Sequence, residues 1–137
     1  VKYTHEDEME FQLIRQESGG QLDVLYGRDE TLICGLVLGA TGGVGSTYNF
    51  MPGIYYGVIE NFNKGNLQKA NDLQLKSMKV IELYGKYGGV PAGKVIMKEL
   101  GLDFGNPRLP IVALSQQQKK DLVRELNALS FFTDGLK

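Results

Sequence analysis

Residues 39–49 read GATGGVGSTYN, with four glycines in the seven positions from Gly39 to Gly45 and then Ser46, Thr47, Tyr48 and Asn49. Two kinds of phosphate-binding loop share that glycine richness, and each needs fixed spacings to aim backbone N–H groups at an anion. A P-loop closes in Gly-Lys-Ser/Thr, whereas here Gly45 runs directly into Ser46. A dinucleotide-binding turn needs G-x-G-x-x-G, and counted from Gly43 and Gly45 the third glycine position holds Tyr48. Both nucleotide readings fail. What remains is a tight turn or a close backbone approach at the end of a strand.

The flanking segments set that turn in a repeating pattern. Upstream, Leu22 to Tyr26 is a short apolar run bounded by glycine on both sides, which predicts a buried strand ending at Gly27. Asp29 and Glu30 then open a helix carrying Leu32, Ile33, Leu36 and Val37, closed by Gly39. Gly43 to Thr47 predicts a third strand, and Ile54 to Phe62 the helix after it. At the front, Val1 to Thr4 look like the end of a strand, shorter than the usual ~5 residues. Acidic residues 6–8 suit the first turn of the next helix, with Thr4 or His5 as its cap and Met9, Leu13 and Ile14 as its apolar stripe, ending at Ser18-Gly19-Gly20. Strand and helix alternating at this spacing predict right-handed βαβ units and a parallel sheet, an α/β fold.

Beyond residue 64 the character changes. Gly65-Asn66 precedes a long helical pattern through Ala70, Leu73, Val80, Tyr84 and Tyr87, stopped by Gly88-Gly89. Pro91 suits the first turn of a shorter helix with Val95, Ile96, Met97 and Leu100. An extended segment with Pro107 and Pro110 follows, and Ser115 with Gln118 forms a capping box for a last helix bearing Leu122, Val123, Leu126 and Leu129. Residues 65–137 therefore read as a helical appendage to residues 1–64.

Composition narrows the classes of function. A chain of 137 residues with 42% hydrophobic and 23% charged residues can bury one core, and a net charge of -1 gives no pull toward nucleic acid or an anionic membrane. One cysteine, Cys34, and one histidine, His5, are too few soft ligands for a zinc site, so no metal is expected. The same scarcity points to a reducing compartment and a cytoplasmic location, and no run approaches 18 apolar residues.

In a parallel α/β arrangement the carboxyl ends of the strands carry the chemistry. Here those ends hold Lys2 with Thr4, Gly27 with Asp29 and Glu30, and Gly45 with Ser46. One amine, two carboxylates and two hydroxyls suit a carbonyl compound with a polyol tail, the amine as Schiff-base nucleophile and the rest as hydrogen-bonding partners of hydroxyls. Each has a plainer reading: a solvated lysine, a helix-terminal charge pair, and turn residues at Ser46 and Thr47. His5 reads as a surface cap, Cys34 as core and the later tyrosines as packing.

VKYT at a strand end, YGRDE after the next strand and GATGGVGSTYN at the third together resemble the sialic acid aldolases, or N-acetylneuraminate lyases, of the pyruvate-dependent class I aldolase family. NPRLPI and SFFTDG in the tail resemble the animal-type members. The resemblance covers the whole chain and implies the carboxyl-terminal part of a TIM (β/α)8 barrel, its last three strands in residues 1–64, with helices of 65–137 packed on it. It implies Lys2 as the catalytic lysine that forms an imine with pyruvate or with the keto carbon of open-chain sialic acid, its amine kept neutral by burial. It further implies Thr4, Gly27, Asp29, Glu30 and Ser46 as substrate-binding residues, no cofactor, and a homotetramer.

The family's proton-relaying tyrosine and its Ser-Thr pair for the pyruvate carboxylate have no match here, so the resemblance also implies a complementary amino-terminal half as partner. Dihydrodipicolinate synthases have an ISVTAN-like segment where this chain has VGSTYN, and Asp29-Glu30 favours a polyol tail. Arg28 departs from the uncharged residue expected at its position. Another aldolase of the dihydrodipicolinate synthase kind, or a non-catalytic sugar-binding fragment, are the alternatives.

Overall fold

A computed structural model describes residues 1–133. Two short parallel strands, β1 (Lys2–Tyr3) and β2 (Leu25–Tyr26), pair with Lys2 opposite Leu25 and Tyr3 opposite Tyr26. The ladder extends past them, since Leu25 N–H donates to Val1 O and Gly27 N–H to Tyr3 O, both at 2.7 Å. The strand expected over residues 22–26 starts late because Leu22 is exposed and Asp23 turns its side chain to the Thr41 hydroxyl.

The third strand, expected over 43–47, is reduced to one parallel bridge between Tyr26 and Gly43. Tyr26 N–H donates to Gly42 O and Val44 N–H to Tyr26 O, each at 2.9 Å. The ladder stops there because the next N–H groups turn elsewhere: Thr47 N–H goes to the Asp29 carboxylate, and Thr47–Asn49 close a tight 3-10 turn.

Among the described residues there are six α-helices: α1 (Glu8–Glu17), α2 (Leu32–Val37), α3 (Pro52–Asn63), α4 (Leu67–Lys86), α5 (Val90–Glu99) and α6 (Gln116–Ala128). The cap of α1 is Asp7, whose carboxylate accepts from Glu10 N–H at 3.0 Å, rather than Thr4 or His5. His5 instead accepts from Asp7 N–H at 3.3 Å, just outside the helix. The stripe of α1 also differs from the expected one. Met9 and Leu13 are exposed, and Phe11 is the residue that faces the strands, edge-on to Tyr26 at 5.6 Å. On α6 the capping box forms as the spacing predicts, Ser115 and Gln118 each bonding the other's backbone N–H.

Among the described residues, apolar packing divides into two clusters. A small one, Tyr3, Phe11, Val24, Tyr26 and Ala40, joins β1, β2 and α1. The larger one runs from Leu32 and Leu36 through Phe50, Met51, Ile54 and Val58 to Ile96, Leu122 and Leu126, so it ties α2 and α3 to the later helices. Each such fully buried side chain is worth ~1.5–3 kcal/mol relative to exposure. Cys34, expected in the core, is exposed, because α2 turns Leu32 and Leu36 inward and the cysteine outward. Among the described residues no helix is long and apolar enough to cross a membrane.

Candidate active site

A cavity of about 180 Å³ opens where β1, β2 and the Gly43 bridge end. Lys2, Gly27, Asp29, Glu30, Gly45, Ser46, Thr47, Ile81 and Tyr84 line it. Five of the six residues expected to form a site thus share one concavity. The sixth, Thr4, stands beside it with its hydroxyl against the Cα of Gly27.

Both glycines at the strand ends are required by close approach. A Cβ on Gly27 would meet Lys2 Cε and the Tyr3 carbonyl oxygen, each at 2.7 Å, so only hydrogen fits between β2 and the lysine stem. A Cβ on Gly45 would run into the Asp29 carboxylate, with Oδ2 at 2.5 Å. The glycine-rich stretch is therefore the place where the backbone after the bridge presses against the loop after β2.

Asp29 is only 7% exposed. Its carboxylate accepts from Thr47 N–H at 2.9 Å and from the Thr47 hydroxyl at 2.5 Å, and that hydroxyl lies 2.5 Å from the Tyr55 phenol oxygen. Burial first, and the Asp29 charge among the lesser causes, push the Tyr55 phenol up to about 12. Tyr48 stacks on Tyr55 with ring centroids 4.2 Å apart, and burial followed by Asp29 raises it as well. Behind this turn Gln74, fully buried on α4, donates to the Asp29 carbonyl oxygen at 3.0 Å and to Ser77 Oγ at 2.8 Å, and accepts from Ile33 N–H at 3.1 Å.

Glu30 is the more accessible carboxylate. Its Oε1 lies 3.5 Å from Arg28 Nε, and Arg28 Nη2 lies 3.5 Å from Glu6 Oε1, so the arginine is held beside the cavity and bridges two acids. Lys2 lines the same cavity but is exposed, contrary to the burial expected for it. Among the described residues, no group of three or more His, Cys, Asp or Glu side chains is placed to hold a metal ion.

Four contributors escaped the sequence reading. Thr47 reads as a turn residue, yet it is the partner of Asp29. Gln74 and Ser77 sit at helical spacing from Ala70 and Val80, and polar residues on an otherwise apolar face were the available signal. Tyr84 reads as packing, yet its hydroxyl donates to Ser46 Oγ at 3.2 Å.

Parallel strands joined by crossover helices, with an amine, carboxylates and a hydroxyl gathered at the strand ends, define a chain of the barrel-type α/β class, with chemistry suited to a carbonyl ligand bearing hydroxyls. Residues 1–129 match the Dihydrodipicolinate synthetase family, and the chain belongs to that family. It is 36% identical to an N-acetylneuraminate lyase of Danio rerio, over 99% of this chain and 44% of that protein. It overlays the N-acetylneuraminate lyase of Proteus mirabilis with a TM-score of 0.90 at 40% identity, covering 96% of this chain and 44% of the other. A Fusobacterium nucleatum N-acetylneuraminate lyase complexed with pyruvate overlays with a TM-score of 0.86 at 28% identity, covering 94% and 44%. The chain thus spans less than half the length of these relatives, and its architecture is that of a partial TIM barrel with packed helices.

Proposed function

We propose that this chain supplies the Schiff-base lysine and the sugar-tail pocket of a pyruvate-dependent lyase that cleaves N-acetylneuraminate to N-acetylmannosamine and pyruvate. The observation that carries the reading is the cavity that Lys2 shares with Gly27, Asp29, Glu30 and Ser46. Resemblance to N-acetylneuraminate lyases over the whole chain supports it.

In this reading residues 1–64 are the last three βα units of a (β/α)8 barrel and residues 65–137 are helices packed on it, with the complementary half completing the cylinder in a cytoplasmic homotetramer. The Lys2 amine adds to the keto carbon of the open-chain sugar acid, one proton is taken up and water leaves, giving a protonated imine. That cation accepts the electron pair released when the bond between the carbon next to the imine and the hydroxyl-bearing carbon beyond it breaks, while the hydroxyl on that departing carbon loses its proton and becomes the aldehyde. The resulting enamine takes up a proton at carbon, and water releases pyruvate and restores the amine. The complementary half supplies the proton relay and the carboxylate site. Thr4 stands beside the bound keto acid, while Glu30, Ser46 and the backbone at Gly27 face the hydroxylated tail, with Asp29 holding their loop.

The test is reductive trapping. Incubating the intact polypeptide that carries this chain with pyruvate and borohydride should add a reduced pyruvyl group to the peptide containing Lys2, and Lys2→Arg should abolish both adduct and turnover. Sialic acid binding with no adduct would instead favour a non-catalytic sugar-binding role.

A further inference from the structure

Among the residues lining the cavity, α4 rather than the strand ends or the glycine-rich turn contributes Ile81 and Tyr84, and Tyr84 is the one of the two with a polar group. It comes from α4, 38 residues after Ser46, and its hydroxyl donates to Ser46 Oγ at 3.2 Å. The ring is fixed from behind. Its centroid lies 5.7 Å from that of Phe50, and it packs so closely on α5 that a Cβ on Gly93 would stand 3.1 Å from it. Ser46 is held at its backbone too, its carbonyl oxygen accepting from the Asn49 side chain at 2.8 Å and from Asn49 N–H at 3.3 Å.

A serine hydroxyl has one proton to give and two lone pairs to receive with. When the Tyr84 phenol occupies one lone pair, the Ser46 proton is free for the cavity, and donation into the hydroxyl polarises it toward giving that proton. Glu30, across the same cavity, can only accept when ionised. We propose that Tyr84 is a positioning and specificity-determining residue. It fixes Ser46 as a hydrogen-bond donor, so that with Glu30 as acceptor the cavity selects a tail carrying one oxygen that accepts and one hydroxyl that donates. The inference rests on the lyase reading and assigns polarity to its tail-binding end.

The test is a double-variant cycle in the intact polypeptide, followed in the condensation direction with N-acetylmannosamine and pyruvate. Tyr84→Phe keeps the ring and removes only the hydroxyl. It should raise KM for N-acetylmannosamine about threefold to tenfold, the worth of one hydrogen bond. KM for pyruvate and borohydride trapping on Lys2 should stay unchanged. Ser46→Ala should do the same, and the double variant should be no worse than Ser46→Ala alone.

An unmoved KM for the sugar in Tyr84→Phe overturns the proposal, as do losses that multiply in the double variant, which would make Tyr84 an independent contact. Equal rises in both KM values overturn it as well, because general loosening of the fold moves both. Absence of any pyruvate adduct in the unsubstituted protein removes the lyase reading itself. An adduct with unmoved sugar KM removes only the role of Tyr84.

Discussion

The buried carboxylate of Asp29 holds Thr47 by two hydrogen bonds, one from the backbone N–H at 2.9 Å and one from the hydroxyl at 2.5 Å, and thereby locks the loop after β2 to the turn that carries Ser46. The contact works because Gly45 has no side chain where the carboxylate sits. Asp29→Ala would leave two buried donors without that acceptor, at a cost of about 1–3 kcal/mol for an unsatisfied group. Thermal unfolding should show the loss, with KM for the sugar rising because Ser46 shifts. Gly45→Ala should give the same pair of effects by pushing the carboxylate aside. Either variant with unchanged stability and KM would mean that the two loops are not coupled through this contact.

Gly27 separates β2 from the Lys2 stem. A methyl group there meets Lys2 Cε and the Tyr3 carbonyl oxygen at 2.7 Å each, and the second is backbone that moves only with the ladder. Gly27→Ala should therefore displace the amine as well as loosen β1. An ångström of misplacement at a reacting atom can cost about a hundredfold in rate, so the yield of pyruvate trapped on Lys2 at a fixed short time should fall by that order. Near-normal trapping would show that the lysine stem relaxes around the methyl.

Much of this site was legible because its residue types sit at strand ends, where alternating strand and helix segments place them together. Lys2, Gly27, Asp29, Glu30 and Ser46 share the cavity that this alternation implies. What stayed hidden depends on long-range partners. The third strand looked complete because small residues tolerate extended backbone, yet a buried carboxylate from the previous loop captures Thr47 and ends the ladder after Val44. Thr47 and Tyr84 looked ordinary because their partners lie 18 and 38 residues away. At the start of α1, Thr4, His5 and Asp7 can all accept a backbone hydrogen bond, and only geometry picks Asp7. Of the SFFTDG resemblance, Asp134 and Gly135 lie outside the described residues.

Arg28 sits between Glu6 and Glu30, 3.5 Å from each, with a side chain only 21% exposed. It therefore positions one of the two cavity carboxylates and does not simply extend into solvent. Ion pairs of this exposure are worth ~0.2–1 kcal/mol. Arg28→Leu should accordingly raise KM for N-acetylmannosamine by about twofold to fivefold, and added salt should produce part of the same rise in the unsubstituted protein. A KM insensitive to both would leave the arginine a purely structural bridge to Glu6.

Alkaline stability should report the tyrosine network. Burial pushes Tyr55 up to about 12, and burial with the bond to Glu8 does the same for Tyr26, against an ordinary value of 10.0. The folded state then holds these phenol protons more tightly than the unfolded chain does. The associated stability is complete below pH 10 and is lost as pH rises from about 10 toward about 12. The melting temperature should fall steeply across that window, with phenolate absorbance from the buried rings rising together with unfolding. Tyr55→Phe removes one of the titrating groups while Thr47 keeps its bonds to Asp29. The variant should show a shallower fall over the same window, and a slope identical to that of the unsubstituted protein would place the linkage elsewhere.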